Sequence, residues 1–195
     1  MTEPDGLQPA KRPLRLLLGL TGSAGLMSMS AYLEHFRGTL RPDLRMVLTP
    51  MAERLVPKST WVGLAPQGVL GDADWISAEH VGLADWADAI LVAPCTANTL
   101  SSVAHGRCDN LLTATIMCAE VPVVLAPNMN RRMWAAPAVR RCVETARADG
   151  HVIIDMQDSL AYEFGTRSTH HDLAMARPDA LVDHIRHAVS SHARP

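Results

Sequence analysis

Short apolar runs recur along the chain, separated by stretches with helical spacing. The first run, LRLLLGL at residues 14–20, is almost continuously apolar, as expected of a strand buried on both faces. Further strands are predicted at 44–49, where Pro50 stops the run, and at 89–94, 121–127 and 151–155. Helices are predicted from the turn at 21–25 through Arg37, and over 78–88, 97–105, 110–119, 137–148 and 178–192. Residues 56–75 are rich in Pro and Gly and read as irregular, and 158–176 are mixed polar. Residues 1–13 read as a flexible leader and 14–195 as a single domain. Strands alternating with helices predict an α/β fold, a parallel sheet with helices on both faces. Such sheets bind ligands beyond the carboxyl ends of their strands. Three of those ends carry distinctive turns: TGS after the first strand, PCTANT after the third and PNMNRRMW after the fourth.

Composition narrows the function. The 195 residues carry a net charge of -2, which gives no electrostatic footprint for nucleic acid. No apolar run reaches the roughly 18 residues of a membrane span, and the polar start lacks a signal-peptide core. The four cysteines, Cys95, Cys108, Cys118 and Cys142, form no CxxC pair. Reduced thiols in a cytoplasmic protein are therefore expected, with no metal site. The pairs His170/His171 and His184/His187 read as solvated surface residues.

The turns hold the candidate chemistry. Gly19, Gly22 and Gly25 give G-x-x-G-x-x-G rather than the dinucleotide fingerprint. The turn can hold an anion on backbone N–H groups or be a plain tight turn capped by Ser23. In PCTANT, two hydroxyls, an amide and the small Ala97 allow close approach of a planar or phosphorylated ligand. Cys95 reads as a small buried filler, since no base adjoins it. In PNMNRRMW, Asn130 is suited to donate to a carboxylate. Met129 and Met133, four apart, are suited to one apolar wall, or simply to packing. His80, alone before the third strand, reads on its own as structural.

Taken in order, these motifs resemble the flavin-containing cysteine decarboxylases, which include phosphopantothenoylcysteine decarboxylase and the epidermin-type lanthipeptide decarboxylases. The likeness covers roughly residues 14–190. PCTANT resembles a PxSANT motif with Thr96 in place of Ser, and PNMNRRMW fits PxMNxxMW in full. CDNLLT at 108–113 fits a segment between them, and His80 falls at the family's catalytic histidine. The resemblance implies a flavodoxin-like (Rossmann-like) three-layer sandwich binding FMN, or FAD in some members, between subunits of a homotrimer or homododecamer. Carried across, Gly22, Ser23, Ala24, Thr96, Ala97, Asn98, Thr99 and Asn128 contact the flavin. Asn130 binds the substrate carboxylate and Met133 borders the substrate.

Two departures stand out. Where relatives often place Ser residues near the phosphate after the second strand, this chain has Met51 and Ala52, so Thr49 or Arg54 must compensate. Where the reducing members carry an ACG segment, whose Cys donates the proton that completes enethiol reduction, this chain has Tyr162 within Leu160–Gly165. The implied reaction is oxidative decarboxylation of the C-terminal cysteine of a ribosomal precursor peptide, stopping at the enethiol. The alternatives are coenzyme A biosynthesis, a flavin prenyltransferase and a non-catalytic flavoprotein regulatory subunit.

Overall fold

The computed structural model describes residues 12–77, 79–163 and 167–192. Six strands form one parallel sheet: β1 Arg15–Leu20, β2 Asp43–Leu48, β3 Val69–Leu70, β4 Ala89–Cys95, β5 Val123–Pro127 and β6 Val152–Ile153. Their order is β3-β2-β1-β4-β5-β6. Without the two-residue β3 the order is that of flavodoxin, and with it that of the Rossmann fold. The fold class predicted from the apolar runs is therefore the one observed.

Helices cover both faces. On β1, Leu16, Leu18 and Leu20 face one core, with Leu33 and Phe36 of α1 (Met29–Thr39) and Leu181 and Ile185 of α8 (Pro178–His192). Leu17 faces the other core. That core is closed by α3 (Glu79–Trp86), α4 (Ala97–Ala104), α5 (Leu111–Cys118) and α7 (Pro137–Ala148). The period of two along a strand produces this division. Gly19 is the exception that brings a helix close. A Cβ there would lie 2.6 Å from a methyl of the fully buried Leu112 on α5.

The CDNLLT segment explains how α5 is placed. Asn110 accepts a hydrogen bond from the Thr113 N–H at 3.1 Å, and the Thr113 hydroxyl accepts from the Asn110 N–H at 3.2 Å. This reciprocal capping box fixes the first turn of α5. The motif positions a helix under β1.

Three segments differ from the sequence reading. Pro50 opens a short helix, α2 (Pro50–Leu55), because proline is suited to the first helical turn, where no N–H is needed. The irregular stretch 56–75 contains the edge strand β3. The mixed polar stretch 158–176 is largely an antiparallel hairpin of β7 (Gln157–Glu163) and β8 (Ser168–Ala174), separate from the main sheet. Another short helix, α6 (Arg131–Ala135), follows β5. Residues 1–11 of the expected leader lie outside the described residues, but Arg12 is tied to Asp88 by paired hydrogen bonds, both 2.6 Å. No helix among the described residues is long and apolar enough to cross a membrane.

Candidate active site

The direction in which successive strands are added to the sheet reverses between the parallel neighbours β1 and β4. From β1 the chain crosses to β2 on one side, and from β4 to β5 on the other, which opens a crevice at their carboxyl ends. Thr21 bridges this switch point. Its buried hydroxyl donates to the Pro94 carbonyl at 2.6 Å and accepts from the Thr96 N–H at 2.9 Å. One side chain thus satisfies two backbone groups that the diverging strands leave unpaired.

The other turns close around that point. A Cβ on Gly22 would lie 2.2 Å from Cγ and 3.1 Å from the backbone carbonyl carbon of Met51, after β2. A Cβ on Gly25 would lie 2.5 Å from Nδ2 of Asn128, after β5, and 3.2 Å from Pro94. Only glycine lets the first turn approach its neighbours so closely. The turns after β1, β2, β4 and β5 therefore form one cluster.

Each turn carries a side chain that caps the next helix. Ser23 accepts from Gly25 N–H at 3.2 Å and Thr49 from Ala52 N–H at 3.4 Å. Thr96 accepts from Thr99 N–H at 3.3 Å, and its hydroxyl meets that of Thr99 at 3.2 Å. Asn130 accepts from Met133 N–H at 2.9 Å. The capping reading of Ser23 is correct locally. Capping engages Oδ1 of Asn130, which leaves the Nδ2 amide group to meet a ligand. Ala24 and Ala97 are half-buried, Asn98 is exposed, and the Asn128 N–H donates to the Cys95 carbonyl at 2.8 Å.

Met129 and Met133 do not share a wall. Met129 turns into the core, whereas Met133 is 43% exposed, because the chain enters α6 between them. Cys95 is fully buried, and burial pushes its thiol up to about 12. It is a filler, as its sequence context suggested, and at neutral pH no thiolate is present to attack a substrate.

His80 belongs to the first turn of α3. The parallel crossover from β3 to β4 puts the start of that helix at the carboxyl edge of the sheet. The residue is half-buried, and Nδ1 is buried without a hydrogen-bond partner among the described residues. An unpartnered buried ring nitrogen is rare in a purely structural histidine. The α3 helix packs on α5.

Two features escaped the sequence reading. Thr21 looked like part of a glycine turn, although a hydroxyl at the end of a buried strand is itself a signal. Arg131, beside Asn130, pairs with Asp158 of β7 at 2.5 Å and Asp172 of β8 at 3.2 Å. Burial opposes ionisation of Asp172, but the Leu173 and Arg131 N–H groups and the guanidinium hold its pKa below the usual carboxylate range.

Known proteins agree with this geometry. The profile of the family described as Flavoprotein matches residues 7–190. Mersacidin decarboxylase of Bacillus sp. (strain HIL-Y85/54728) is 31% identical, over 86% of this chain and 87% of its own. Phosphopantothenoylcysteine decarboxylase of Mus musculus is 32% identical, over 97% of this chain and 94% of its own. The chain spans about a third of the bifunctional coenzyme A biosynthesis proteins that it also matches. Among solved structures, the FMN-dependent cysteine decarboxylase SpaF superposes with a TM-score of 0.77 at 30% identity, covering 93% of this chain and 98% of its own. With its switch-point crevice, its capped turns and these relatives, the chain belongs to the Flavoprotein family, among the flavin-containing cysteine decarboxylases.

Proposed function

We propose that this protein is an FMN-dependent decarboxylase acting on the C-terminal cysteine of a ribosomal precursor peptide. Its product is an enethiol that feeds an aminovinyl-cysteine ring. The observation that carries the reading is the convergence of four capped turns at one switch point, with an unpartnered histidine nitrogen at the same edge.

The cluster suits a flavin nucleotide, with FAD as the alternative to FMN. The turns at 21–25, 95–99 and 127–130 contain hydroxyls, amides and small residues, and no carboxylate to repel a phosphate. Gly22, Ser23, Ala24, Thr49, Thr96, Ala97, Asn98, Thr99 and Asn128 would hold it. When bound, the flavin supplies a hydride acceptor for oxidation of the cysteine Cβ–S unit to a thioaldehyde. That oxidation creates the sink that an ordinary peptide cysteine lacks for the electrons released with CO2.

The chain's own residues do the rest. The Asn130 amide orients the carboxylate through a neutral donor, so the charge that must be lost is not overstabilised. Met133 borders the substrate. His80 takes the proton that leaves with oxidation, the general-base role that a positioned imidazole can fill. The substrate thereby loses CO2 and two hydrogens.

Peptide specificity is supported by the likeness to mersacidin decarboxylase. It is also supported by Tyr162, which stands in β7 opposite Thr169 where the reducing members carry a cysteine. We read the assembly as a homotrimer or homododecamer. Exposed Met27, Met51, Leu55 and Met133 on the segments that follow β1, β2 and β5 support a covered surface there.

The test is mass spectrometry of a Cys-terminated peptide incubated with the flavin-loaded protein. Loss of CO2 and two hydrogens is expected. A stoichiometric saturated thiol, two hydrogens heavier, would move the assignment to coenzyme A biosynthesis, and no reaction would remove the enzymatic reading. An amidated C-terminus should be inert, and Asn130→Asp should weaken peptide binding more than flavin binding.

A further inference from the structure

The residue after Asn130 is anchored outside its own helix. Arg131, the first residue of α6, directs Nε to Asp172 Oδ1 at 3.2 Å and Nη2 to Asp158 Oδ1 at 2.5 Å. In the hairpin register Asp158 lies opposite Leu173 and Ser159 opposite Asp172, so the two carboxylates belong to different strands, one position out of register. One guanidinium therefore grips both strands of the hairpin. The two contacts are not equal. The Asp158 side chain is 73% exposed, whereas that of Asp172 is 16% exposed and also accepts from the Leu173 N–H at 2.8 Å. The Arg131 side chain is 55% exposed in both contacts, so solvent weakens each, and the one to the sheltered, hydrogen-bonded Asp172 contributes more.

We propose that Arg131 and Asp172 form a positioning pair that holds the start of α6, and with it the Asn130 amide, in register with the β7–β8 hairpin. The inference rests on the proposed role of Asn130 as the carboxylate-binding residue. Asn130 caps α6 through Oδ1, so the direction of its free Nδ2 is set by where that first turn sits. Arg131 fixes the same turn from the adjacent residue. The pair touches neither carboxylate nor flavin and acts through Asn130.

The experiment uses flavin-loaded wild type, Arg131→Ala, Asp172→Ala, Asp158→Ala and Arg131→Lys, with a Cys-terminated peptide. Loss of the Asp172 contact should raise KM about three- to tenfold, at or below the size of one charge-assisted hydrogen bond because Arg131 is half exposed. The value of kcat should stay within about twofold, because the chemical groups are intact. Asp158→Ala should change KM much less, and Arg131→Lys should recover part of the loss. Hydrogen exchange gives a readout free of turnover: the Met133 amide and the hairpin amides should exchange faster in Arg131→Ala and Asp172→Ala. Unchanged exchange there, or a kcat that falls as far as KM rises, would overturn the proposal. If wild type leaves the peptide unreacted, the proposed substrate fails, and exchange at Met133 alone decides whether the pair positions Asn130.

Discussion

The two ends of the β1–β4 pair face the same task and solve it with opposite chemistry. At the amino end, Asp88 joins the strands with charge. It accepts the Arg15 N–H at 2.8 Å and both terminal nitrogens of Arg12. At the carboxyl end, the neutral Thr21 hydroxyl joins them. A fixed charge suits an end that nothing must enter. Where, under the proposed function, an anionic cofactor and a carboxylate substrate must be received, a neutral tie holds the strands without repelling or trapping either. Beside Asn130, the Arg131 guanidinium is turned onto Asp158 and Asp172 of the hairpin.

The contrast can be broken most severely from the carboxyl side. His80→Asn should keep its flavin and lose about 10²–10⁴-fold in turnover, the usual contribution of a general acid–base group. Single-turnover assays on protein with a normal flavin spectrum check this, and near-wild-type rates would exclude His80 as the proton acceptor. Thr21→Val should cost about 2–4 kcal/mol, since it orphans the Pro94 carbonyl and the Thr96 N–H beneath a buried side chain. Urea unfolding measures the loss, and Thr21→Ser, which keeps the hydroxyl, should restore most of it.

Smaller effects sharpen the comparison. Gly22→Ala forces a Cβ against the backbone of Met51, and overpacking of that kind costs about 1–3 kcal/mol. Flavin should dissociate about tenfold or more readily in a fluorescence titration, while the amino end is undisturbed. Asp88→Asn should do the converse, lowering Tm by about 4 °C or less with flavin content and turnover unchanged. The pH dependence follows from its pKa. Hydrogen bonding from Arg12 holds the folded-state value of Asp88 below the ordinary one, despite partial burial. Its stabilisation is therefore complete above an unfolded pKa of about 4 and lost as pH falls through the lower folded value. Wild type and Asp88→Asn should converge in stability in strong acid. A constant difference down to that range would contradict the role given to Asp88.

Legibility in the sequence followed the range of the interactions. Five of the six described strands of the central sheet were readable because burial on both faces demands an unbroken apolar run, visible in AILVAP and VPVVLAP, whereas the two-residue, half-buried edge strand β3 is too short to show one. The cap by Ser23 was readable for a similar reason, since it acts within two residues of its own position, whereas the equally local caps by Thr96 and Asn130 went unread because their side chains suited ligand contact as well. The hairpin was not readable. Its strands pair with each other outside the central sheet, so residues such as Asp158, Ser159 and Thr169 impose no apolar period. The contact between Arg131 and Asp172 spans 41 residues, and that between Thr21 and Pro94 spans 73. No local pattern encodes either one. His80 lay between these limits, unremarkable alone and singled out only by its company of motifs.

Burial of Cys95 bears on how long such a catalyst survives. Under the proposed reaction, reduced flavin must be returned to its oxidised form, and when oxygen does so the by-product is hydrogen peroxide. Peroxide attacks thiolates, and any thiol at the crevice would be the first casualty of each cycle. The residue between Pro94 and Thr96 is a cysteine, yet its sulfur is sealed beneath the turn and kept protonated. Cys142 is also buried, whereas Cys108 and Cys118 lie exposed. Oxidative wear should therefore collect at Cys108 and Cys118. Mass mapping after many turnovers should find sulfenic or sulfinic acid at those two positions while Cys95 remains a thiol, so that damage accumulates on the surface before it reaches the site.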